Sequence, residues 1–150
     1  MISFQKVTKT YNHGLSALDK VSFKIQPNEF VILVGKSGAG KSTVIKLLIG
    51  EEKPTSGKIL FHSLEINRLK PGEMPELRRQ IGVIFQDFRL LEQKTAEENV
   101  AFALEVEGRP EREIRELVPQ VLDMVGIKDK AKNFPKELSG GEKQRVAIAR

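Results

Sequence analysis

The 150-residue sequence contains no cysteine, no tryptophan and a single tyrosine. Without cysteine there is no disulfide and no metal site with thiolate ligands, and the chain is compatible with a reducing compartment. No apolar run approaches the roughly 18 residues that a membrane-spanning helix needs. The first residues also lack the charged and apolar regions of a secretory signal. These absences predict a globular protein of the cytoplasm.

Charge of one sign is not concentrated anywhere along the chain. The sequence has 25 lysines and arginines against 20 acidic residues, a net charge of +5. Arg78 and Arg79 form the only notable basic pair, and no basic stripe interleaved with aromatic residues accompanies it. Nucleic-acid binding is therefore not expected. The basic surface would equally suit anionic lipid or solvent.

Residues 35–42 have the spacing G-x-x-x-x-G-K-S, and apolar runs lie on both sides. The preceding run, residues 30–34, is short and rich in β-branched side chains, which predicts a buried strand. The following run, residues 43–49, has helical spacing and stops at Gly50, a typical residue for a helix C-terminus. A strand, a glycine-rich turn and a helix in this order indicate a phosphate-binding loop.

This loop requires its residue types. Gly35, Gly38 and Gly40 are expected to take positive φ and to let the backbone approach a polyphosphate. Lys41 is predicted to contact the β- and γ-phosphates, and the Ser42 hydroxyl to ligate Mg²⁺. An ordinary glycine turn is the alternative, which the number of fixed positions disfavours. The expected nucleotide contacts of this segment are Gly35, Lys36, Ser37, Gly38, Ala39, Gly40, Lys41, Ser42 and Thr43.

The first 25 residues alternate between apolar and polar side chains. The pattern predicts two antiparallel strands, over residues 1–11 and 18–25, with a turn at Asn12–Gly14. Tyr11 lies at a strand end, where its ring could stack on a base, although plain packing is the ordinary role of such an aromatic. His13 is interpreted as a turn residue and His62 as a strand residue, neither with a metal role.

The middle of the chain predicts two further strands. A turn at residues 54–57 precedes a short strand at 58–61, and residues 69–80 form a partly helical connection. Residues 81–85 have a buried-strand pattern that ends at Gln86. A polar amide there would lie at the carboxyl edge of the sheet, where open α/β folds bind ligands. An ordinary loop glutamine is an equally good interpretation.

The remaining residues have helical periodicity. Thr95 and Glu98 form a capping box that begins one helix. Apolar residues at three- and four-residue spacing predict a second helix, which ends at Gly126. Pro119 lies inside that helix, where a kink or a restart is expected.

A last helix begins at Ser139, which forms a capping box with Glu142, and continues to the final residue. Gly140 and Gly141 expose the backbone N–H groups of its first turn. The sequence therefore contains a second candidate phosphate-binding helix N-terminus.

These segments together resemble the nucleotide-binding subunit of an ABC-type ATPase. Residues 35–42 match its Walker A loop, Gln86 its Q-loop, residues 138–142 its LSGGE signature, and Tyr11 its base-stacking aromatic. Asn28 stands where that family commonly has glycine, and asparagine tolerates the same turn. Residues 77–82, 85–91 and 130–135 are most similar to the FtsE cell-division ATPases. Lipoprotein-releasing, macrolide-export and amino-acid-import ATPases share much of this text.

The resemblance implies an α/β fold, a P-loop NTPase core of the ABC ATPase type with an antiparallel β layer and a small α-helical subdomain. The expected divisions are residues 1–86, 87–138 and 139–150. The family's Walker B strand, with its Mg²⁺-organising and catalytic carboxylates, would follow Arg150. The C-terminal part of the fold is therefore expected to be missing, which leaves residues 30–34 with an unpaired apolar edge.

The resemblance also implies a function. ATP and Mg²⁺ would be the cofactors, with Lys41 and Gln86 in catalysis and Ser42 and Gln86 at the metal. Two chains would pair head to tail, so that Ser139, Gly140 and Gly141 of one meet the nucleotide of the other. The partner would be an integral-membrane protein of the FtsX kind, with the chain at the inner face of the cell membrane and a role in cell division.

Three other interpretations stay open from the sequence. The chain could serve an ABC exporter, a lipoprotein-release system or an amino-acid importer. It could also be a nucleotide-dependent docking module without turnover, since the carboxylates of hydrolysis are not in these 150 residues. A soluble ABC-type factor acting on nucleic acid is disfavoured, because about 50 residues between Gln86 and Ser139 are too few for a long coiled coil.

Overall fold

The computed structural model describes the backbone of all 150 residues and every side chain except that of His13. The chain divides into two compact units, Met1–Ile81 and Gly82–Arg150. The first unit contains a four-stranded sheet and two helices. Its elements are β1 (Ile2–Thr10), β2 (Ser16–Ile25), α1 (Lys41–Leu48), β3 (Ser56–Phe61), β4 (Leu64–Glu65) and α2 (Met74–Arg79).

The sheet has the strand order β2-β1-β3-β4, and each neighbouring pair is antiparallel. Phe4 lies opposite Phe23, and the two rings stack with centroids 4.5 Å apart. The predicted antiparallel layer and its turn at Asn12–Gly14 are confirmed. Asn28 takes a φ of 62°, as expected for an asparagine that replaces glycine in a turn.

One face of the sheet forms the core of the first unit with α1. Val7, Ile59 and Leu47 are fully buried in this core. Burying a side chain of this size stabilises a fold by about 1.5–3 kcal/mol. At its end, α1 is followed by Gly50 with a φ of 62°, whose N–H donates to the Leu47 carbonyl, so the predicted helix end is confirmed.

Two predicted strands are absent. Residues 30–34 and 81–85 form no strand, so both predictions of a buried strand are wrong. Phe30 is 89% exposed and Val34 90% exposed, and no described strand pairs with this segment. The apolar residues thus have strand propensity but no partner, and propensity alone does not make a strand. The expectation that residues 30–34 carry an unpaired apolar edge agrees with this exposure.

His62 is not a strand residue as predicted. It lies in the turn between β3 and β4 with a φ of 54°, and its ring meets the Phe61 ring edge-on at 4.7 Å.

The second unit is helical. Its helices are α3 (Ala96–Val106), α4 (Glu111–Met124) and α5 (Gly140–Ala149), with single 3-10 turns at Lys128–Lys130 and Pro135–Glu137. They enclose a separate core that includes Val100, Leu122, Ile127 and Val146, each at most 2% exposed. Among the described residues, no helix combines the length and the apolar character required to cross a membrane.

Pro119 lies within α4, which runs unbroken from Glu111 to Met124. The helix therefore does not restart at Pro119, and the kink expected as the other outcome stays a prediction. An interior proline costs about 3 kcal/mol, but Val118 and Leu122 are buried on the same helix face. Their burial offsets that cost, because the two side chains together contribute a comparable amount. The predicted end at Gly126 is confirmed by its φ of 68° and its N–H bond to the Asp123 carbonyl.

Candidate functional site

The loop before α1 depends on glycine at two positions. Gly38 and Gly40 have φ values of 79° and 84°, so the predicted left-handed conformation is confirmed for both. Gly35 lies outside this region, so the prediction of positive φ is wrong there. A Cβ on Gly35 would lie 3.1 Å from the Ala39 Cβ, so close approach rather than φ accounts for this glycine.

Gly40 is the N-cap of α1 and the tightest point of the loop. A Cβ at this position would lie 2.4 Å from the Ala17 carbonyl oxygen and 2.8 Å from the Leu18 Cδ2. The loop can approach β2 this closely only because residue 40 has no side chain. The packing of Gly40 on β2 therefore sets where α1 begins.

The N-terminus of α1 presents free backbone donors. The first N–H that bonds within α1 is that of Val44, which donates to the Gly40 carbonyl. The N–H groups of Lys41, Ser42 and Thr43 lie before it, and no described group accepts a hydrogen bond from them. The helix dipole adds partial positive charge at this end. No side chain caps the helix and no acid lies in its first turn. This end is therefore suited to an anionic ligand.

Lys41 adds a full positive charge at the same place. Its ammonium donates to the Gly35 carbonyl at 2.7 Å and to the Lys36 carbonyl at 2.8 Å, so it folds back over the loop. The loop is also closed by the Ala39 N–H, which donates to the Lys36 carbonyl at 3.1 Å. The Lys41 ammonium, the N-terminus of α1 and the glycines at positions 38 and 40, which place no side chain in the way, form a cradle that fits a phosphate group.

Tyr11 lies beside this helix. Its hydroxyl is 3.5 Å from the Thr43 Oγ1, and Thr43 is buried in the first turn of α1. The ammonium of Lys9 lies 4.9 Å from the centre of the Tyr11 ring. The structure thus brings the predicted aromatic residue and the predicted phosphate loop together within the first unit.

Gln86 lies in the second unit, at an exposed turn over residues 86–89. Its predicted position after a strand is wrong, because residues 81–85 form no strand. The backbone of the turn is strained: Phe88 and Arg89 have φ values of 58° and 45°. Such conformations cost about 1–3 kcal/mol each and persist only when surrounding contacts hold them.

Arg150 supplies these contacts. Its guanidinium donates to the Arg89 carbonyl at 2.6 Å and to the Phe88 carbonyl at 3.0 Å. Burial lowers the pKa of the Arg150 guanidinium. The residue after α5 thus holds the turn that contains Gln86. The sequence carries no signal for this contact, because the two partners are about 60 positions apart.

The signature helix α5 begins as predicted. The Glu142 N–H donates to the Ser139 Oγ at 3.4 Å, and the Ser139 N–H donates to the Glu142 Oε2 at 2.7 Å. This backbone hydrogen bond, more than any other contact, lowers the pKa of Glu142. A Cβ on Gly140 or Gly141 would meet nothing within 4 Å, so the first turn of α5 is open to a ligand.

The predicted residues therefore fall into two groups. Tyr11 and residues 35–43 lie together in the first unit, and Gln86 and residues 139–141 lie in the second. Among the described side chains, no cluster of three histidines, aspartates or glutamates is placed to hold a metal ion.

The family model and the sequence relatives that match this chain all belong to ABC-type ATP-binding proteins. The ABC transporter family matches residues 18–150. The chain is 53% identical over 150 residues to the cell division ATP-binding protein FtsE of Bacillus subtilis and covers 66% of that protein. It is 54% identical to FtsE of Escherichia coli K12, covering 68% of it. FtsE of Mycobacterium tuberculosis is 52% identical, with 66% covered. In each case the whole of this chain is matched, and it spans about two thirds of the relative.

Solved structures agree with the sequence relatives. A dimeric ATP-binding cassette in a post-hydrolysis state, bound to ADP and Pi, superposes with a TM-score of 0.92 at 38% identity. The match covers 99% of this chain and 68% of that one. A dimeric structure of a bacterial ABC transporter cassette gives the same values. The fold described above is thus that of an ABC ATPase cassette.

Proposed function

The chain belongs to the ABC transporter family, in the group of FtsE cell-division ATP-binding proteins, and on this basis we propose that it is the ATP-binding part of an FtsE-type membrane complex. In that role it couples ATP binding, and hydrolysis in the complete family member, to a membrane partner in cell division. The observation that carries the proposal is the α1 N-terminus, where unpaired N–H groups and the Lys41 ammonium converge.

The nucleotide binds at this end of α1. Its β- and γ-phosphates accept hydrogen bonds from the loop N–H groups and from Lys41, which turns from its two carbonyl partners toward them. The base stacks on Tyr11, which lies beside the same helix. The proposed contacts are Tyr11, Gly35, Lys36, Ser37, Gly38, Ala39, Gly40, Lys41, Ser42 and Thr43.

Magnesium is proposed as the second cofactor. Mg²⁺ keeps several waters and takes phosphate oxygens as ligands, so one or two protein groups are sufficient to hold it. The proposed metal-binding residues are Ser42, which is exposed on the first turn of α1, and Gln86. When bound, the ion neutralises charge on the phosphates.

The second unit supplies the response to nucleotide. Ser139, Gly140 and Gly141 present an open, side-chain-capped helix start that suits the γ-phosphate held by a second copy of the chain. The similar cassettes were solved as dimers, which supports the pairing of two copies, and the proposed arrangement is head to tail. Gln86 and Lys41 are the proposed catalytic residues. The segment 87–138 is the proposed helical subdomain that passes the nucleotide state to an FtsX-like partner at the inner face of the membrane.

The test is titration calorimetry of ATP with Mg²⁺ against this chain, Lys41→Ala and Lys46→Ala. Lys46 lies in the last turn of the same helix, so its substitution removes an equal charge away from the phosphate end. Lys41→Ala should weaken binding at least tenfold, about 1.4 kcal/mol, while Lys46→Ala should bind as the parent does. Equal affinity of the parent and Lys41→Ala would overturn the proposed site.

A further inference from the structure

A second basic site lies away from the α1 N-terminus. An open groove of about 690 Å³ crosses the sheet of the first unit, and Lys6, Lys20 and Lys58 line it. The lysine groove, as we call it, contains none of the residues assigned above to nucleotide.

The three lysines come from three adjacent strands of the sheet. Lys20 belongs to β2, Lys6 to β1 and Lys58 to β3, and these strands are neighbours in the sheet. The register staggers them along the strands, because Lys58 lies opposite Gln5 and the Lys20 N–H bonds the Thr8 Oγ1. Neighbouring strands are about 4.8 Å apart, so the two outer strands of the three are on the order of 10 Å apart.

The backbone is strained at two of these lysines. Lys6 and Lys20 have φ values of 47° and 45°, at irregularities in the β1–β2 register. Hydroxyls accept from the backbone N–H groups that the irregularities displace. The Lys6 backbone N–H donates to the Ser22 Oγ at 2.8 Å, and the Lys20 backbone N–H donates to the Thr8 Oγ1 at 3.1 Å. Bulges of this kind redirect side chains, and strain of this kind concentrates at functional sites.

Glycine allows the third strand to approach. Gly57 precedes Lys58 with a φ of 87°, and a Cβ there would lie 2.3 Å from the Lys6 carbonyl oxygen. Irregular backbone thus occurs on all three strands, at or beside each lysine.

No carboxylate balances this charge. The groove is lined by no acidic side chain, and none of the described carboxylates forms an ion pair with Lys6, Lys20 or Lys58. Lys9 on the same strand β1 shows the contrast, because its ammonium lies 2.7 Å from the Glu52 carboxylate. The groove is therefore lined by three exposed lysines and by no acidic residue.

We propose that the lysine groove binds a small soluble anion that carries two or more phosphate groups. Lysine ammonium groups bind phosphate as point charges, and three of them match more than one phosphate. The Ser22 and Ser56 hydroxyls line the same groove and add neutral donors. This inference is independent of the proposed function.

The test is an NMR titration of the Lys41→Ala chain with tripolyphosphate, since that background weakens binding at α1. The expected result is saturable shifts of the Ser22 and Gly57 amides. The triple variant Lys6→Gln, Lys20→Gln, Lys58→Gln should bind at least tenfold more weakly. The control triple Lys24→Gln, Lys53→Gln, Lys70→Gln removes the same charge from exposed positions outside the groove and should bind as its parent does.

Three results would overturn the proposal. These are the absence of saturable shifts at the groove amides, equal affinity of the groove triple and its control, and shifts at these amides with phosphatidylglycerol vesicles but not with tripolyphosphate. Unchanged dispersion of the amide spectrum in each variant establishes that the fold is kept. Failure here leaves the calorimetric test of Lys41 unaffected, so the two proposals are judged separately.

Discussion

The two helix starts that suit phosphate are built in opposite ways. At α1 the cap is a left-handed glycine, no side chain satisfies the first N–H groups, and no acid lies in the first turn. At α5 the cap is Ser139, whose Oγ accepts from the Glu142 N–H and whose N–H donates to the Glu142 carboxylate. The chain before α1 is an exposed apolar run, whereas the residue before Ser139, Leu138, is buried in the helical core.

This difference shows where the order of each site comes from. The α5 start is stabilised by the capping box of Ser139 and Glu142 and by the burial of Leu138 in the helical core of the second unit. The α1 start depends on the close packing of Gly40 against β2 and leaves its donors without partners. A site with unsatisfied donors is suited to bind its ligand strongly, because the ligand supplies the missing hydrogen bonds. We therefore expect substitutions at the two starts to act through different physical causes.

The largest effect is expected for Gly40→Ala. The new Cβ would overlap the Ala17 carbonyl oxygen, and alanine disfavours the φ of 84°. Overpacking and the left-handed conformation together should destabilise the unit by about 3 kcal/mol or more. Thermal unfolding followed by circular dichroism would measure this, and calorimetry should show that ATP binding is lost.

Gly38→Ala is the matched control for that prediction. Gly38 has a similar φ of 79°, but a Cβ there would meet nothing within 4 Å. The cost should be only the conformational part, about 1–2 kcal/mol. If both variants were equally destabilised, packing against β2 would not be what places α1.

An intermediate effect is expected for Ser139→Ala. Loss of an N-cap side chain costs about 1 kcal/mol, which for a chain of this size lowers the melting temperature by roughly 2–4 °C. Ser37→Ala in the loop before α1 is the control, because Ser37 is exposed and caps no helix. It should change stability by less than about 0.5 kcal/mol. Equal losses would remove the contrast between the two helix starts.

The smallest effect is a response of α5 to acid. The Ser139 N–H holds the pKa of Glu142 below the ordinary 4.5. The stabilisation is therefore fully present above pH 4.5 and is lost as the pH falls through the lower folded pKa. Hydrogen exchange of the Ser139 amide, which donates to the Glu142 carboxylate, should speed up in this window, after correction for the intrinsic rate.

Two comparisons check that response. Glu142→Gln should abolish it, because the side chain no longer titrates. The α1 start should show none, since its first turn contains no acid. Faster exchange at both helix starts in the parent would point to general acid unfolding instead.

The helices were predictable because their signals are local. Thr95 with Glu98, and Ser139 with Glu142, lie three residues apart, and the structure forms both capping boxes. Gly50 and Gly126 end their helices for the equally local reason that they adopt positive φ. The continuation of α4 through Pro119 could not be predicted in the same way, because it depends on the burial of Val118 and Leu122, which only the packed helix shows.

The predicted strands that form are those that find a partner in the sheet, near in the sequence for β1 and β2 and far apart for β1 and β3. The β1–β2 hairpin was correct because its turn joins the two strands directly. Residues 30–34 and 81–85 are apolar and rich in β-branched side chains, as strands are. They have no partner among the described strands, and neither forms a strand. The same limit applies to Gln86, whose predicted strand end is a strained turn held by Arg150.

By itself, the sequence determined the phosphate loop, the signature and the helix starts, because each is encoded by residues within one or two turns of each other. It also determined the family, since these motifs occur in a characteristic order. Only the tertiary structure decided that residues 30–34 stay exposed and that Lys6, Lys20 and Lys58 share one groove. These lysines are far apart in the sequence, and only the strand order and register of the sheet place them side by side.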